Sequence, residues 1–105
     1  MKAIQKGVRY DTDKAILIGE AVSSAFRTDH GYWEAALYKA PFSGRYFLAG
    51  RGGPLTRWAK AEGQGSWSGG SGIIAMAPEE AREWAEKYLS VEQVAAGFAD
   101  MIEEA

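Results

Sequence analysis

The sequence predicts an α+β domain, in which an antiparallel β-meander of about four to five strands carries two C-terminal α-helices on one face. Short apolar segments with strand-like alternation occupy residues 2–76, whereas apolar residues at helical spacing are confined to residues 78–102. The predicted strands do not alternate with helices as they do in βαβ units, so parallel crossover units are not expected. A chain of 105 residues accommodates one domain, spanning 1–105, and is too short for two.

The segment from Tyr32 to Pro54 predicts the central hairpin. Strands at Tyr32–Lys39 and Arg45–Gly50 flank a loop of about five residues that contains Pro and Gly, as hairpin loops often do. Apolar side chains occupy both alternating sets of positions, so both faces of this sheet are expected to be apolar. Either helices or loops cover both faces, or one face is a binding surface.

Shorter strands are predicted before this hairpin. Lys2–Gln5 and Val8–Tyr10 flank Lys6-Gly7, a candidate two-residue turn in which glycine supplies a positive φ. The segment Ala15–Val22 fits a buried strand or a short helix, because periodicity cannot decide over so few residues. Gly19 favours the strand, since glycine costs about 1 kcal/mol inside a helix.

The segment Arg51–Gly72 is rich in Gly and Ser but contains Trp58 and Trp67, which ordinary linkers lack. We therefore expect an ordered loop held in place by both indoles, with one helical turn near Leu55–Ala61. A short strand is predicted next, at Ile73–Met76.

Two helices are predicted at the C-terminus. Pro78 and the two glutamates after it are typical of a helix start, although Ala77 has no oxygen with which to cap it. Apolar residues then recur at helical spacing from Ala81 to Leu89. Ser90 is the predicted cap of the second helix. The side of that helix expected to be buried comprises Val91, Val94, Ala95, Phe98, Met101 and Ile102.

The composition offers little to catalysis. The absence of cysteine excludes a disulfide framework and a zinc–thiolate site, and suits a reducing cytoplasm. His30 is the only imidazole, so no second histidine completes a metal site. The glycine runs lack the Gly-Lys-Ser/Thr of a phosphate loop, and Pro54 removes an amide donor. We expect no catalytic residue, no metal and no cofactor. No apolar run reaches the length of a membrane span, so no membrane partner is expected.

The net charge of −2 conceals two oppositely charged regions. Residues 39–60 contain five cations and no acid, interleaved with aromatic residues, whereas residues 78–105 contain eight acids and two cations. Basic residues among aromatics can bind nucleic acid, but the rings can equally be core and the cations its rim. A pI near 5.4 argues against general nucleic-acid binding.

Two candidate partner-binding surfaces follow from this pattern. Tyrosine, tryptophan and arginine are enriched where interfaces concentrate their binding energy, which favours the hairpin surface of Tyr38, Arg45, Tyr46, Arg51, Arg57 and Trp58. The alternative is the acidic helix face, which could imitate nucleic-acid phosphates. Its residues are Glu80, Glu83 and Glu86.

An ordered set of short motifs covers most of the chain from Lys2 to Leu89. The motifs are Lys6-Gly7 before Tyr10-Asp11-Thr12-Asp13-Lys14-Ala15; Trp33-Glu34 with Leu37-Tyr38; Tyr46-Phe47-Leu48 with Gly50 and Gly52-Gly53-Pro54; and Pro78-Glu79-Glu80-Ala81 with Trp84-Ala85. In this order they resemble a family of small, largely uncharacterised proteins carried by bacterial phages and mobile elements.

This resemblance implies a biological context. Small cysteine-free phage proteins without active sites often inhibit host machinery, and anti-CRISPR proteins are the best-known class. The implied function is a non-enzymatic protein that binds and inhibits a host protein complex, such as a subunit of a CRISPR–Cas effector, in the bacterial cytoplasm. The alternative is a nucleic-acid-binding accessory protein that uses residues 39–60. Formation of a homodimer through uncovered apolar hairpin residues is also open.

Overall fold

The computed structural model describes residues 1–105 and confirms the α+β class. The strands are β1 (Lys2–Gln5), β2 (Val8–Asp11), β3 (Ile16–Val22), β4 (Trp33–Lys39), β5 (Tyr46–Gly52), β6 (Lys60–Ala61), β7 (Trp67–Ser68) and β8 (Gly70–Met76). The helices are α1 (Pro78–Tyr88), α2 (Val91–Gly97) and a short 3₁₀ helix (Ala99–Met101). Neither α-helix has the length and apolar character needed to cross a membrane.

The main sheet has four antiparallel strands in the order β3-β4-β5-β8. The predicted meander is therefore confirmed for four strands, including the ambiguous segment that forms β3. The first two strands do not extend it, because β1 and β2 pair only with each other. A side chain makes the link instead: Gln5 Nε2 donates a hydrogen bond to the carbonyl oxygen of Ile73 in β8, at 2.7 Å.

The turn between β1 and β2 has the predicted chemistry. Lys6 and Gly7 both have positive φ, at 50° and 77°. Positive φ at both central residues is the signature of the type I′ turn, whose twist matches that of two antiparallel strands. Gln5 and Val8 close the hairpin as register partners.

The larger hydrophobic cluster lies between the sheet and the helices. Leu37 of β4 and Leu48 of β5 are register partners and are both fully buried. The two helices cover them, as predicted, with a set of buried apolar side chains. These are Ala81, Trp84 and Ala85 of α1, Val94 of α2 and Phe98 after it.

Tyr46 fixes the end of α2 against the sheet. Its ring stacks on Phe98 with the centroids 4.7 Å apart, and its hydroxyl donates a hydrogen bond to the carbonyl oxygen of Gly97 at 2.9 Å. The helix ends at Gly97, so its predicted extension to Ile102 is wrong. Because the chain leaves the helical path at Phe98, the apolar spacing is not continued. Three residues expected to be buried are exposed: Val91, Ala95 and Ile102.

The opposite face of the sheet is covered by the β1–β2 hairpin, but only in part. Tyr10 of this hairpin packs edge-on against Phe47 with the ring centroids 5.2 Å apart. Ala49 and Ile73 complete this smaller cluster. One face is therefore closed by helices, and the other remains open beyond the hairpin.

The segment between β5 and β8 differs from the expected loop. Strand β5 continues to Gly52, β8 begins at Gly70, and β6 pairs with β7 between them. The Trp58 indole packs on Gly50 and holds the loop in place as expected, but Trp67 is 61% exposed and holds nothing in place. The predicted helical turn is replaced by a hydrogen-bonded turn, in which the Thr56 amide and hydroxyl both donate to the Gly53 carbonyl oxygen.

We predict opposite outcomes for Gly50→Ala and Gly72→Ala, although these glycines are register partners. A Cβ atom at Gly50 would lie 2.5 Å from the Glu34 carbonyl oxygen and 2.8 Å from Trp58 Cζ2, whereas one at Gly72 would meet nothing within 4 Å. Gly50→Ala should lower the free energy of unfolding by about 1–3 kcal/mol through overpacking. Gly72→Ala should change it by less than about 0.5 kcal/mol or raise it. Urea denaturation of both variants measures the difference, and equal losses would contradict the packing of Trp58 on Gly50.

Candidate functional site

An open groove lies on the sheet face that the β1–β2 hairpin leaves uncovered. Its cavity volume is about 460 Å³. The floor is formed by residues with small side chains, Ala36 of β4 and Ala49 and Gly50 of β5. Tyr38 and Val22 line it as larger apolar groups, and Val22 is 63% exposed. Ala36 and Ala49 are register partners on this face, whereas their neighbours Leu37 and Leu48 face the helices.

A hydrogen-bonded network of three side chains stands at one end of the groove. Glu34 accepts a hydrogen bond from the Tyr32 hydroxyl at its Oε2 atom and one from Arg51 Nε at its Oε1 atom, both at 2.6 Å. The backbone dictates this arrangement. Glu34 and Arg51 are cross-strand register partners, and Tyr32 lies two residues before Glu34, on the same face.

The hydrogen bonds of this network shift the pKa of all three side chains towards the protonation states that form those bonds. The Tyr32 hydroxyl and then the Arg51 guanidinium lower the pKa of Glu34, because both stabilise the carboxylate. The Glu34 carboxylate raises the pKa of Tyr32 and of Arg51 in return. The hydrogen bond from Arg51 Nε to Glu34 Oε1 orients the Arg51 side chain at the rim of the groove.

Tyr38 borders the groove beneath the β1–β2 hairpin. Its ring stacks on Phe47 with the centroids 5.4 Å apart and an interplanar angle of 14°. Burial raises the pKa of Tyr38, and the nearby carboxylates of Glu20 and Asp13 raise it further. The phenol therefore stays neutral and can both donate and accept hydrogen bonds.

The structure brings only two of the predicted hairpin residues, Tyr38 and Arg51, to this groove. Arg45 is exposed at the opposite end of β5, about 20 Å of strand away from Arg51. Arg57 is exposed on the other side of the sheet, where it lines a small cavity beside Trp33 and Trp84.

The structure removes Tyr46 and Trp58 from any partner-binding surface. Each is only 5% exposed, since Tyr46 lies beneath α2 and Trp58 packs on the backbone at Gly50. Their positions within a basic segment suggested a surface role. The alternation of β5 instead places Tyr46 on the face covered by helices, so the prediction for these two residues is corrected.

The acidic helix residues lie where they were expected, but two of them have local partners. Glu80, Glu83 and Glu86 are all exposed on α1. Glu80 Oε1 accepts a hydrogen bond from the Ala77 amide at 3.1 Å, which partly compensates for the cap that alanine cannot supply. Glu86 faces Arg82 one turn earlier, at 3.9 Å. At Ser90 the predicted cap is confirmed, since its Oγ accepts from the Gln93 amide at 3.1 Å.

Asp11 and His30 both take part in local backbone structure. Asp11 Oδ1 accepts a hydrogen bond from the Asp13 amide at 3.0 Å, the pattern of an Asx turn. The His30 side chain is exposed, and its carbonyl oxygen accepts a hydrogen bond from the Leu55 amide at 3.0 Å. No group of three or more His, Cys, Asp or Glu side chains is placed to hold a metal ion.

The Glu34 network was missed by the sequence analysis, although a signal for it was present. Tyr32 and Glu34 share one face of the predicted strand, and a hairpin register would have placed Arg51 opposite Glu34. That register depends on the length of the β4–β5 turn and on the continuation of β5 to Gly52.

Comparison with models of known protein families, with curated proteins and with solved structures gives no match.

We predict that Tyr32→Phe raises the pKa of Glu34 towards its ordinary value, because the substitution removes the hydrogen bond that lowers it most. Carboxyl ¹³C NMR titration of the wild type and the variant measures this pKa directly. Arg51→Ala should raise it as well. The conservative change Tyr88→Phe is the control, since that ring lies on the helical side beside Trp33 and Trp84.

The same pKa shift predicts the sign of a pH effect on stability. The pKa of Glu34 is lower in the folded than in the unfolded chain, so the network stabilises the fold at neutral pH. This contribution should be lost as the pH falls through the folded pKa. The difference in unfolding free energy between wild type and Tyr32→Phe should therefore shrink on acidification, and a difference independent of pH would contradict this assignment.

Proposed function

We propose that this protein is a non-enzymatic binding protein that inhibits a host protein complex by docking the open groove against it. The observation that carries the proposal is the incomplete cover of an apolar sheet face. Small residues form its floor, and an oriented arginine stands at its rim.

The groove has the features of a small interface. Interfaces combine a desolvated apolar centre with a polar rim, and tyrosine and arginine are enriched at their most important positions. Tyr38 and Arg51 are such residues here. Because Glu34 already orients Arg51, binding would cost less side-chain entropy than it would for a free arginine.

The occupant that fits is a protein segment with apolar side chains for the alanine floor and a carboxylate for Arg51. The terminal nitrogens of Arg51 have no hydrogen-bond partner in the protein, since only its Nε atom is used by Glu34. A carboxylate bound there would accept hydrogen bonds from the terminal nitrogens of the Arg51 guanidinium. The resemblance to proteins of phages and mobile elements favours a CRISPR–Cas effector subunit in the bacterial cytoplasm as the target.

The acidic face of α1 is the competing surface. Glu83 and Glu86 are exposed there, whereas Glu80 also serves its own helix terminus. We favour the groove, because it combines apolar area with an oriented charge. The helix face offers carboxylates alone, and solvent screens these well.

We predict that Ala36→Arg abolishes capture of the partner, because the long side chain fills the groove while its charge reaches solvent. The double variant Glu83→Lys/Glu86→Lys should retain capture. Affinity purification from a bacterial lysate with quantitative mass spectrometry compares both with the wild type. A plasmid-interference assay in cells carrying a CRISPR–Cas system then tests inhibition.

The opposite pattern would overturn the groove assignment. If Ala36→Arg retains the partner and Glu83→Lys/Glu86→Lys loses it, the acidic helix face is the binding surface. Circular dichroism of both variants establishes that they are folded.

A homodimer is the remaining alternative for this face. Strand β3 is an edge of the sheet and exposes Ile16, Leu17 and Val22. Its register is interrupted between Leu17 and Gly19, and such a bulge disfavours edge-to-edge pairing. Light scattering of the purified protein distinguishes a monomer, which supports docking of a foreign segment, from a dimer that occupies the groove itself.

A further inference from the structure

A second groove, polar in character, shares Arg51 with the proposed docking surface and extends away from it. Its cavity volume is about 590 Å³. Three cations from different parts of the chain line it: Arg27 from the loop after β3, Arg51 from β5 and Lys60 from β6. The strands and their connections thus bring together charges that are far apart in sequence.

The positive charge of this groove is only partly compensated. Arg27 and Lys60 form no salt bridge, and Arg51 is paired only through its Nε atom. Asp29 is the one acid in the lining, and its Oδ1 atom already accepts a hydrogen bond from the Gly31 amide at 2.7 Å. Glu34, which pairs with Arg51 beside the groove, is a second carboxylate, so three cations stand against two acids and one positive charge is in excess.

The rest of the lining contains several glycines. Gly52, Gly53 and Gly70 leave main chain, and no side chains, at these positions of the groove. These glycines are required by close packing, since a Cβ atom at Gly70 would lie 2.6 Å from the Trp58 carbonyl oxygen. A ligand in the groove would therefore meet main chain at these three positions, and side chains at the cationic ones.

We propose that this polar groove binds a phosphate oxyanion. Arginine matches the geometry of phosphate oxygens through its planar fork, and lysine adds a compact charge. The convergence of three cations favours an anion that carries several oxygen acceptors over a single carboxylate. The anion can be a phosphodiester of single-stranded nucleic acid or a free phosphate. The proposal does not depend on the docking surface.

Two-dimensional ¹H–¹⁵N NMR tests this proposal at constant ionic strength. Inorganic phosphate and an oligothymidylate without terminal phosphate are each titrated against the protein, with chloride as the reference anion. Inorganic phosphate should shift the amide signals of Gly52, Gly53 and Gly70. Arg27→Ala/Lys60→Ala should weaken this binding about tenfold or more, because it removes two charge-assisted contacts.

Arg9→Ala/Lys14→Ala is the matched control, since it removes two exposed cations that do not line this groove. Binding should be unchanged in that variant. Equal weakening in both variants would overturn the proposal, because it would indicate attraction by net charge alone. The absence of any groove shift at about 10 mM phosphate, tenfold above a millimolar dissociation constant, would also overturn it.

The two titrations distinguish the sources of the anion. Competition between the oligothymidylate and inorganic phosphate for the same amides, with affinity that falls steeply with salt, supports a phosphodiester. Binding of inorganic phosphate without binding of the oligothymidylate supports a free phosphate.

Discussion

The pairing of β4 with β5 is the constraint on which the rest of the structure depends. It places Leu37 directly against Leu48, the two fully buried leucines of the sheet, and it makes both faces of the hairpin apolar. A sheet with two apolar faces needs other parts of the chain packed on both of them. The C-terminal helices supply one through Trp84 and Phe98, and the N-terminal hairpin supplies the other only as far as Tyr10 reaches. The open groove is what this unequal cover leaves.

Arg51 connects the features of the open side. It lines both the apolar groove and the polar groove, and the carboxylate of Glu34 sets its orientation. A ligand in either groove would meet the same guanidinium, whose terminal nitrogens are free. Binding in the two grooves would be coupled through this side chain, because an anion that recruits Arg51 on one side would change the charge presented to the other.

Local chemistry made much of the fold predictable. The alternation of β4 and β5, the Lys6-Gly7 turn and the cap at Ser90 depend on neighbouring residues, and the structure has all three. The failures concern long-range contacts. Tyr46 was assigned to the surface because it lies among cations, but α2 folds back over it. The groove itself depends on how far β2 reaches across the sheet, which no local pattern specifies.

The tip that joins β6 to β7 has little to do with the stability of the sheet. Residues 61–67 are exposed, and Gly63 and Gly65 have positive φ with open space around them. Residues can therefore be inserted or deleted at this tip without disturbing the buried Trp58 that precedes it. A fluorescent tag inserted there would lie two to five residues from Lys60, about 7–17 Å along the chain. Because Lys60 lines the polar groove, the fluorescence of such a tag would report on a ligand bound there.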